Sequence, residues 1–217
     1  MKDVWEQDVL SDVCSAQIED DSCALWVAVE DREVAGFVSA FPTTDRAGHR
    51  RWEIDLLAVR PASQGEGLGT RLIRRACEAG HRRHISLARA LIGVANVPSQ
   101  RAFESAGFTT DGRVHRLFLW SPVPGDDAHP YADLVSLLPV DTLTYRGLWI
   151  EGLASVPAEE QRRAVGAARS MIAREERANT GAVIPVDEEH VLAPDLRHDA
   201  AMPGEYCWFT QPVKRDA

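Results

Sequence analysis

The chain has 217 residues, 45% of them hydrophobic and 26% charged, enough to bury a real core as one domain or two small ones. A formal net charge of −9 argues against a general binder of nucleic acid or anionic membrane, which needs concentrated Lys and Arg. No apolar run approaches the ~20 residues of a membrane span, and the start MKDVWEQDVL lacks a secretory pattern. Cys14, Cys23, Cys77 and Cys207 are scattered, without CxxC or a His at ligand spacing, which predicts reduced thiols, a cytoplasmic location and no structural metal.

After an acidic, helix-like start, CALWVAV and EVAGFVSAF are predicted as strands joined at the short turn EDR. The polar loop PTTDRAGHRR leads into a longer strand, WEIDLLAV. A glycine-rich turn then precedes a helix from about Gly69 to His81. Leu68, Leu72, Ile73, Ala76 and Cys77 share the apolar face, and Arg71, Arg74, Arg75 and Glu78 the polar one. ARALIGV is the next strand, SQRAFESA a short helix stopped by Gly107, and VHRLFLW a closing strand. This order predicts an α/β fold with a mixed, mostly antiparallel central sheet flanked by helices.

SPVPGDDAHP (121–130) has linker composition, which predicts a first domain over 1–122 and a second region over 123–217. Beyond it the first half recurs in eroded form at one constant offset. Trp149 matches Trp52, Leu153 Leu56, Val156 Val59, Gln161 Gln64, and Gly166 Gly69. After a shorter connection ALIGVAN faces AVIPVDE, and LFLWSPV faces CWFTQPV, although apolar strands also resemble one another by chance. ADLVSLLP matches neither strand of the first hairpin, so the second half reads as a degenerate half-repeat lacking it.

The turn QGEGLG sits where a strand gives way to a helix. A helix N-terminus exposes four unpaired amides and about half a positive charge. Gly65, Gly67 and Gly69 allow left-handed backbone and let an anion approach the main chain, the makings of a phosphate nest. Close helix–strand packing alone is the alternative. There is no GKS or GKT, and the spacing is not GxGxxG, so two familiar phosphate loops are set aside.

With its surroundings the turn resembles the GCN5-related N-acetyltransferase (GNAT) family. That family's Q/R-x-x-G-x-G/A signature is met by Gln64, Gly67 and Gly69 behind Val59 and Pro61. Its second motif, an Asn ahead of an aromatic and a Gly-Phe pair, is met by Asn96, Phe103, Gly107 and Phe108. The resemblance spans about Cys23 to Trp120. It implies acetyl-CoA as cosubstrate, with its pyrophosphate on the turn formed by Gln64, Gly65, Glu66, Gly67, Leu68, Gly69 and Thr70. Main-chain groups of Leu57, Ala58 and Val59 would pair with the pantetheine arm as an added strand does. Asn96, with Ser99 and Phe103, would flank the arm from the other side of a splayed strand pair; a loop-capping role for Asn96 is the alternative. Arg60 or Arg101 would meet phosphates or serve as plain surface charges.

Acetyl transfer to an amine requires an unprotonated nucleophile, yet an alkylammonium has a pKa near ~10.4. Glu53 and Asp55 are the candidate bases on the central strand, and relatives often carry a glutamate at the first position. Strand alternation puts both on the face of Leu57 and Val59 unless a bulge shifts the phase. Glu53 would lie about 13 Å from Leu57 along the strand and Asp55 about 7 Å, which favours a carboxylate relaying through water. Both could instead be solvated strand carboxylates. Phe103 stands where many relatives have a tyrosine acid, and a phenyl ring gives no proton; Ser99, Ser105, Tyr131 and Tyr145 are substitutes without a distinguishing feature.

In the second half Arg162 and Ala164 replace Gly65 and Gly67, Glu188 falls at the Asn96 position, and Pro194 is expected to interrupt the following helix. That half is therefore expected to bind no acyl-CoA. The resemblance implies an acetyl-CoA-dependent N-acetyltransferase acting on a primary amine of a small molecule or protein. A non-catalytic acyl-CoA sensor or scaffold is the alternative. SDVCSAQIEDDS and PTTDRAGHRR, where the acceptor would bind, carry no motif. Neither nucleic acid nor membrane is expected as a partner, and monomer and homodimer both stay open.

Overall fold

Alternation of apolar and polar residues from Ala24 onward produces a hairpin. Strand β1 (Ala24–Glu30) pairs antiparallel with β2 (Glu33–Thr44). Asp31 and Arg32 turn the corner with φ of 50° and 67°. Two left-handed residues give a turn whose twist matches that of the strands, here without the usual glycine. β2 then pairs antiparallel with β3 (Arg50–Val59). Both strands reach further into the polar loop than expected, up to Thr44 and from Arg50. The computed structural model describes residues 23–83, 85–124, 135–141, 146–173 and 179–212. The acidic N-terminal segment with SDVCSAQIEDDS, much of the linker, Tyr131 and Tyr145 lie outside the described residues.

Helix α1 (Leu68–Arg82) forms as its periodicity demands. Leu68, Leu72, Ile73, Ala76 and Cys77 are buried, whereas Arg71, Arg74, Arg75 and Glu78 are exposed. His81 and Arg82 in its last turn complement the negative end of the helix. The helix crosses to β4 (Leu87–Gly93), which runs parallel to β3, and α2 (Val97–Ala106) follows. Gly107, at φ 100°, ends α2 in a left-handed conformation.

The chain divides into two compact units, residues 1–112 with 207–217, and residues 113–206. The strand order in the first is β1-β2-β3-β4-β9, with β9 (Glu205–Pro212) starting in the second unit and ending in the first. The sequence-based division at 122–123 keeps the first half of the chain together. Compactness instead assigns the C-terminal segment to the first unit and β5 (Val114–Trp120) to the second. Core packing is the reason. Phe209 is buried against the first core, beside Phe103, and Thr210 exchanges main-chain hydrogen bonds of 2.9 and 2.8 Å with Thr109. Phe118 and Trp120 of β5 are fully buried in the second core.

In the second unit the strand order is β5-β8-β7-β6. β6 (Ser136–Asp141) pairs antiparallel with β7 (Arg146–Glu151). Helix α3 (Ala158–Ala173) leads to β8 (Asn179–Pro185), parallel to β7. The SLLP of ADLVSLLP thus does belong to a strand beside β7, as β2 lies beside β3, although its residues do not resemble those of β2. Pro194 does not interrupt a helix either. It begins one, α4 (Pro194–Asp199), where a missing amide hydrogen is harmless.

Candidate functional site

β3 and β4 stay paired for three rungs only, from Arg51 with Leu87 to Glu53 with Arg89. Beyond them the strands part, and a cleft of about 800 Å³ opens. Leu56, Leu57, Ala58 and Val59 of β3 form one wall, and Asn96, Val97, Pro98, Ser99, Arg101, Ala102 and Ser105 the other. Ser63, Gln64, Gly65, Gly67, Leu68, Gly69 and Thr70 close one end. All four residues of β3 line it because a gap in a sheet is open to side chains of both faces.

The glycine turn is held from two sides. Gln64 Nε2 donates to the carbonyl of Val59 at 2.9 Å, tying the turn to its strand. Thr70 Oγ1 donates to the carbonyl of Ala102 at 3.4 Å, tying α1 to α2. Gly65 and Gly67 have φ of +83° and +75°, and a Cβ on either would meet nothing within 4 Å. Their conformation therefore demands glycine, not crowding, and side chains there would project into open space. Left-handed glycines on either side of Glu66, followed by the unpaired first amides of α1, have the form of an anion nest. No acidic residue in the first turn of α1 opposes an anion. Gly69 differs: a Cβ would make ordinary contacts of 3.6–3.8 Å with Leu57, Val59 and Ala102. Glu66 is exposed and lies outside the cleft lining.

A bulge decides where the carboxylates point. Ser39 is opposite Leu56 but Ala40 is opposite Ile54, so Asp55 is the extra residue. The inserted residue reverses the facing of everything before it. Trp52 and Ile54 share the face of Leu57 and Val59, toward α1, where Trp52 Nε1 donates to the Ala76 carbonyl at 2.9 Å. Glu53 lies on the opposite face, with Leu56 and Ala58, which corrects the expected placement of Glu53 and Asp55 beside Leu57 and Val59. Nor is Glu53 a solvated strand carboxylate. It is buried, Arg89 Nε donates to both its oxygens at 2.8 Å, and Thr43 Oγ1 donates to Oε1. Arg51 Nε stands 3.6 Å away and donates to Thr43 Oγ1 at 3.2 Å. Asp55 is exposed at the bulge.

The remaining candidates separate cleanly. Asn96 lines the cleft and also caps α2, its Oδ1 accepting from the Ser99 amide at 3.2 Å. The loop-capping alternative is thus what the hydrogen bond shows, and the residue stands at the cleft as well. Ser99 and Ser105 line the cleft. Phe103 does not: it is buried, edge-on to Phe108 with ring centroids 5.0 Å apart. Arg60 is engaged by Glu33 at 2.6 Å, whereas Arg101 lines the cleft. Sequence reasoning missed Thr43, Arg89 and Trp208, the last stacked on the Arg89 guanidinium at 4.3 Å. A charge of opposite sign on the strand next to Glu53 was the signal for Arg89; nothing local marks Trp208. Cys77, on the buried face of α1, has its thiol pushed up to about 12 by burial and, second, by the Glu78 charge. Among the described residues no three His, Cys, Asp or Glu side chains gather to hold a metal ion. No helix among them is long and apolar enough to cross a membrane.

The second unit repeats one detail of the first and lacks another. Gln161 Nε2 donates to the carbonyl of Val156 at 3.0 Å, the same five-residue reach as Gln64 to Val59. Gln161 is fully buried, however, and also binds the Val191 carbonyl at 2.9 Å and the Ala193 amide at 2.8 Å. Its side chain bridges the segment after β7 to the segment after β8. Arg162 and Ala164 lie inside α3, the former paired with Asp195 at 2.8 Å, so the stretch is helix where the first unit has its glycine turn. Glu188 accepts from Arg113 at 2.6 Å.

Three solved structures illustrate what the chain is similar to. A GCN5-related N-acetyltransferase from Sphaerobacter thermophilus matches over 95% of this chain and 86% of its own, with 14% identity and a TM-score of 0.50, a likeness of fold. Nourseothricin acetyltransferase is 27% identical over 43% of this chain, with a TM-score of 0.39; the chain spans about half (54%) of its length. A PaiA N-acetyltransferase from Thermoplasma acidophilum, solved with coenzyme A, is 16% identical over 47% of this chain and 61% of its own, with a TM-score of 0.40. No curated protein matches the chain. The family model described as "Acetyltransferase (GNAT) family" matches residues 2–108. Over those residues the chain is a domain of the GNAT acetyltransferase family.

Proposed function

We propose that this protein transfers an acetyl group from acetyl-CoA to a primary amine, with one acetyl-CoA held in the cleft between β3 and α2. The observation that carries the reading is the turn at Gly65 and Gly67. It joins left-handed backbone, a first helical turn free of acidic residues and unfilled space at the end of the cleft. A diphosphate fits there because main-chain amides supply its donors. The thioester would then extend along Leu57–Val59 toward the bulge at Asp55, and Arg101 is the cationic side chain in the lining. Main-chain amides of β3 are in place to stabilise a developing oxyanion.

The amine must lose a proton before it attacks, and the two carboxylates near the bulge differ in how they serve. Glu53 has hydrogen bonds on both oxygens and keeps lone-pair capacity for a water, which suits a relay. Asp55 is nearer the thioester along the strand and is exposed. We assign the relay to Glu53 and keep Asp55 as the direct alternative. The thiolate leaves without an obligatory acid, since a thiol of pKa near ~8.5 is a tolerable leaving group. Phe103, in the core, donates nothing.

Calorimetric titration with acetyl-CoA, followed by thiol release against a panel of small-molecule and peptide amines, tests the reading. Binding of one equivalent with turnover of at least one amine is expected. Binding without turnover of any amine assigns the protein as an acyl-CoA sensor; no binding removes the coenzyme assignment altogether. With turnover in hand, Glu53→Gln should lower kcat more than Asp55→Asn, and the reverse order would transfer the relay to Asp55.

A further inference from the structure

We propose that Trp208, carried by the last strand, is a positioning residue for the acetyl-transfer reaction: it pins Arg89, which in turn aims the Glu53 carboxylate at the head of the cleft. The inference rests on the acetyltransferase reading above and names a part of its machinery that lies outside the family-matched residues 2–108.

Position makes the first argument. Glu53 and Arg89 form the last rung of the β3–β4 ladder, directly before the strands part. Their side chains are only 10% and 15% exposed, and the cleft lining begins three residues further along β3, at Leu56. A buried ion pair contributes little net stability compared with apolar residues of the same volume, so stability alone is a poor reason to put one there. What a buried pair does supply is a fixed direction for its groups.

Competition makes the second. Glu53 has two arginines within reach, Arg89 with Nε 2.8 Å from both oxygens and Arg51 with Nε 3.6 Å from Oε1. Arg89 lies across the rung, on β4. Arg51 lies two residues back along β3, away from the opening. Whichever guanidinium holds the carboxylate decides which way its remaining lone pairs face. Arginine has a long side chain and many rotamers, so a group that holds the Arg89 guanidinium in plane favours its grip on the carboxylate.

Trp208 supplies that restraint. β9 neighbours β4 in the first unit, and the indole of Trp208 covers the Arg89 guanidinium at 4.3 Å from the ring centroid. Cation–π stacking holds the guanidinium plane while leaving its edge free to donate, and Trp is the strongest partner for it. A row of three side chains on three strands results: Trp208 fixes Arg89, and Arg89 fixes Glu53. Without the indole, Glu53 gains freedom to turn toward Arg51, and a water relay loses its alignment with the thioester.

The test uses the full chain with Trp208→Leu and Trp208→Phe, measuring acetyl-CoA affinity, amine KM and kcat, together with the carboxyl-carbon NMR signal of Glu53, assigned by Glu53→Gln. Trp208→Leu should lower kcat about tenfold, part of the 10²–10⁴ that positioned proton transfer supplies. Acetyl-CoA affinity and amine KM should stay within about twofold, because no substrate contact is removed. Trp208→Phe keeps a ring face and should recover most of kcat. An unchanged kcat in Trp208→Leu overturns the proposal. So does a parallel loss of coenzyme affinity and kcat in both variants, which would mark Trp208 as packing only. If the wild-type protein binds acetyl-CoA but acetylates no amine, the reading of the reaction fails while the NMR signal still decides the positioning. A Glu53 signal displaced in Trp208→Leu and restored in Trp208→Phe upholds it, and an unmoved one overturns it.

Discussion

At Gly67 a backbone angle of +75° and empty space beside the Cα coincide, and each has its own experimental signature. An L-residue there strains the turn by about 1–2 kcal/mol. A large side chain also fills the end of the cleft. Gly67→Trp should therefore weaken acetyl-CoA binding by at least about a hundredfold, equivalent to two lost charge-assisted hydrogen bonds, with an unchanged circular dichroism spectrum. Wild-type affinity in that variant would remove the phosphate-turn assignment. Cys77 allows a pH argument of known sign. Its folded-state thiol is raised to about 12 from an ordinary 9.0, chiefly by desolvation. Between those values the folded chain holds a proton that the unfolded chain releases, so its effect on stability is absent below pH 9 and grows unfavourable toward pH 12. The slope is at most about 1.4 kcal/mol per pH unit. Urea melts of Cys77→Ala should lose that share of the alkaline decline, and identical pH slopes in the two proteins would contradict the burial argument.

Single elements carry consequences that their sequences hide. β3 has an uninterrupted strand pattern, yet one inserted residue at Asp55 turns Glu53 to the face opposite Leu57. Nothing in WEIDLLAV announces this, because a bulge arises from the mismatch between β3 and its partner β2 and not from β3 alone. α3 shows the converse. Its register in the apparent repeat is legible, and Gln161 reproduces the hydrogen bond of Gln64. Only the surrounding elements make that glutamine buried, with three partners instead of one. Gln161→Leu leaves two carbonyls and one amide without partners in the second core. It should destabilise the protein by about 2–4 kcal/mol in chemical denaturation while acetyl-CoA affinity stays at the wild-type level. A neutral effect on stability would mean that water replaces the side chain without difficulty.

At the scale of the whole chain, the segment from Cys207 returns to the first unit, which chain order does not suggest. Residues 207–217 group with the first unit, bringing Phe209 into the core that holds Phe103 and Trp208 onto Arg89. A chain truncated after Tyr206 should lose acetyl-CoA binding and melt at lower temperature, although every residue matched to the family is still present. Normal binding by that truncation would show that β9 is dispensable to the coenzyme site. A chain ended near Pro124, the division expected from linker composition, lacks the same strand and should fail for the same reason. Since Gln161 and α3 take the place of a second glycine turn, calorimetry should return one acetyl-CoA per full-length chain.

What local chemistry controls is legible along the chain. Periodicity placed α1, α2 and the strands of the first half to within a few residues, and three glycines between a strand and a helix marked the turn. Left-handed backbone and helix starts are written in residues adjacent along the chain. The facing of Glu53, its two arginine neighbours, the retreat of Phe103 into the core and the arrival of Trp208 from late in the chain emerge only once the strands are paired. Those depend on pairing between strands distant in sequence, where a shift of one residue reverses a face and no local pattern records the partner.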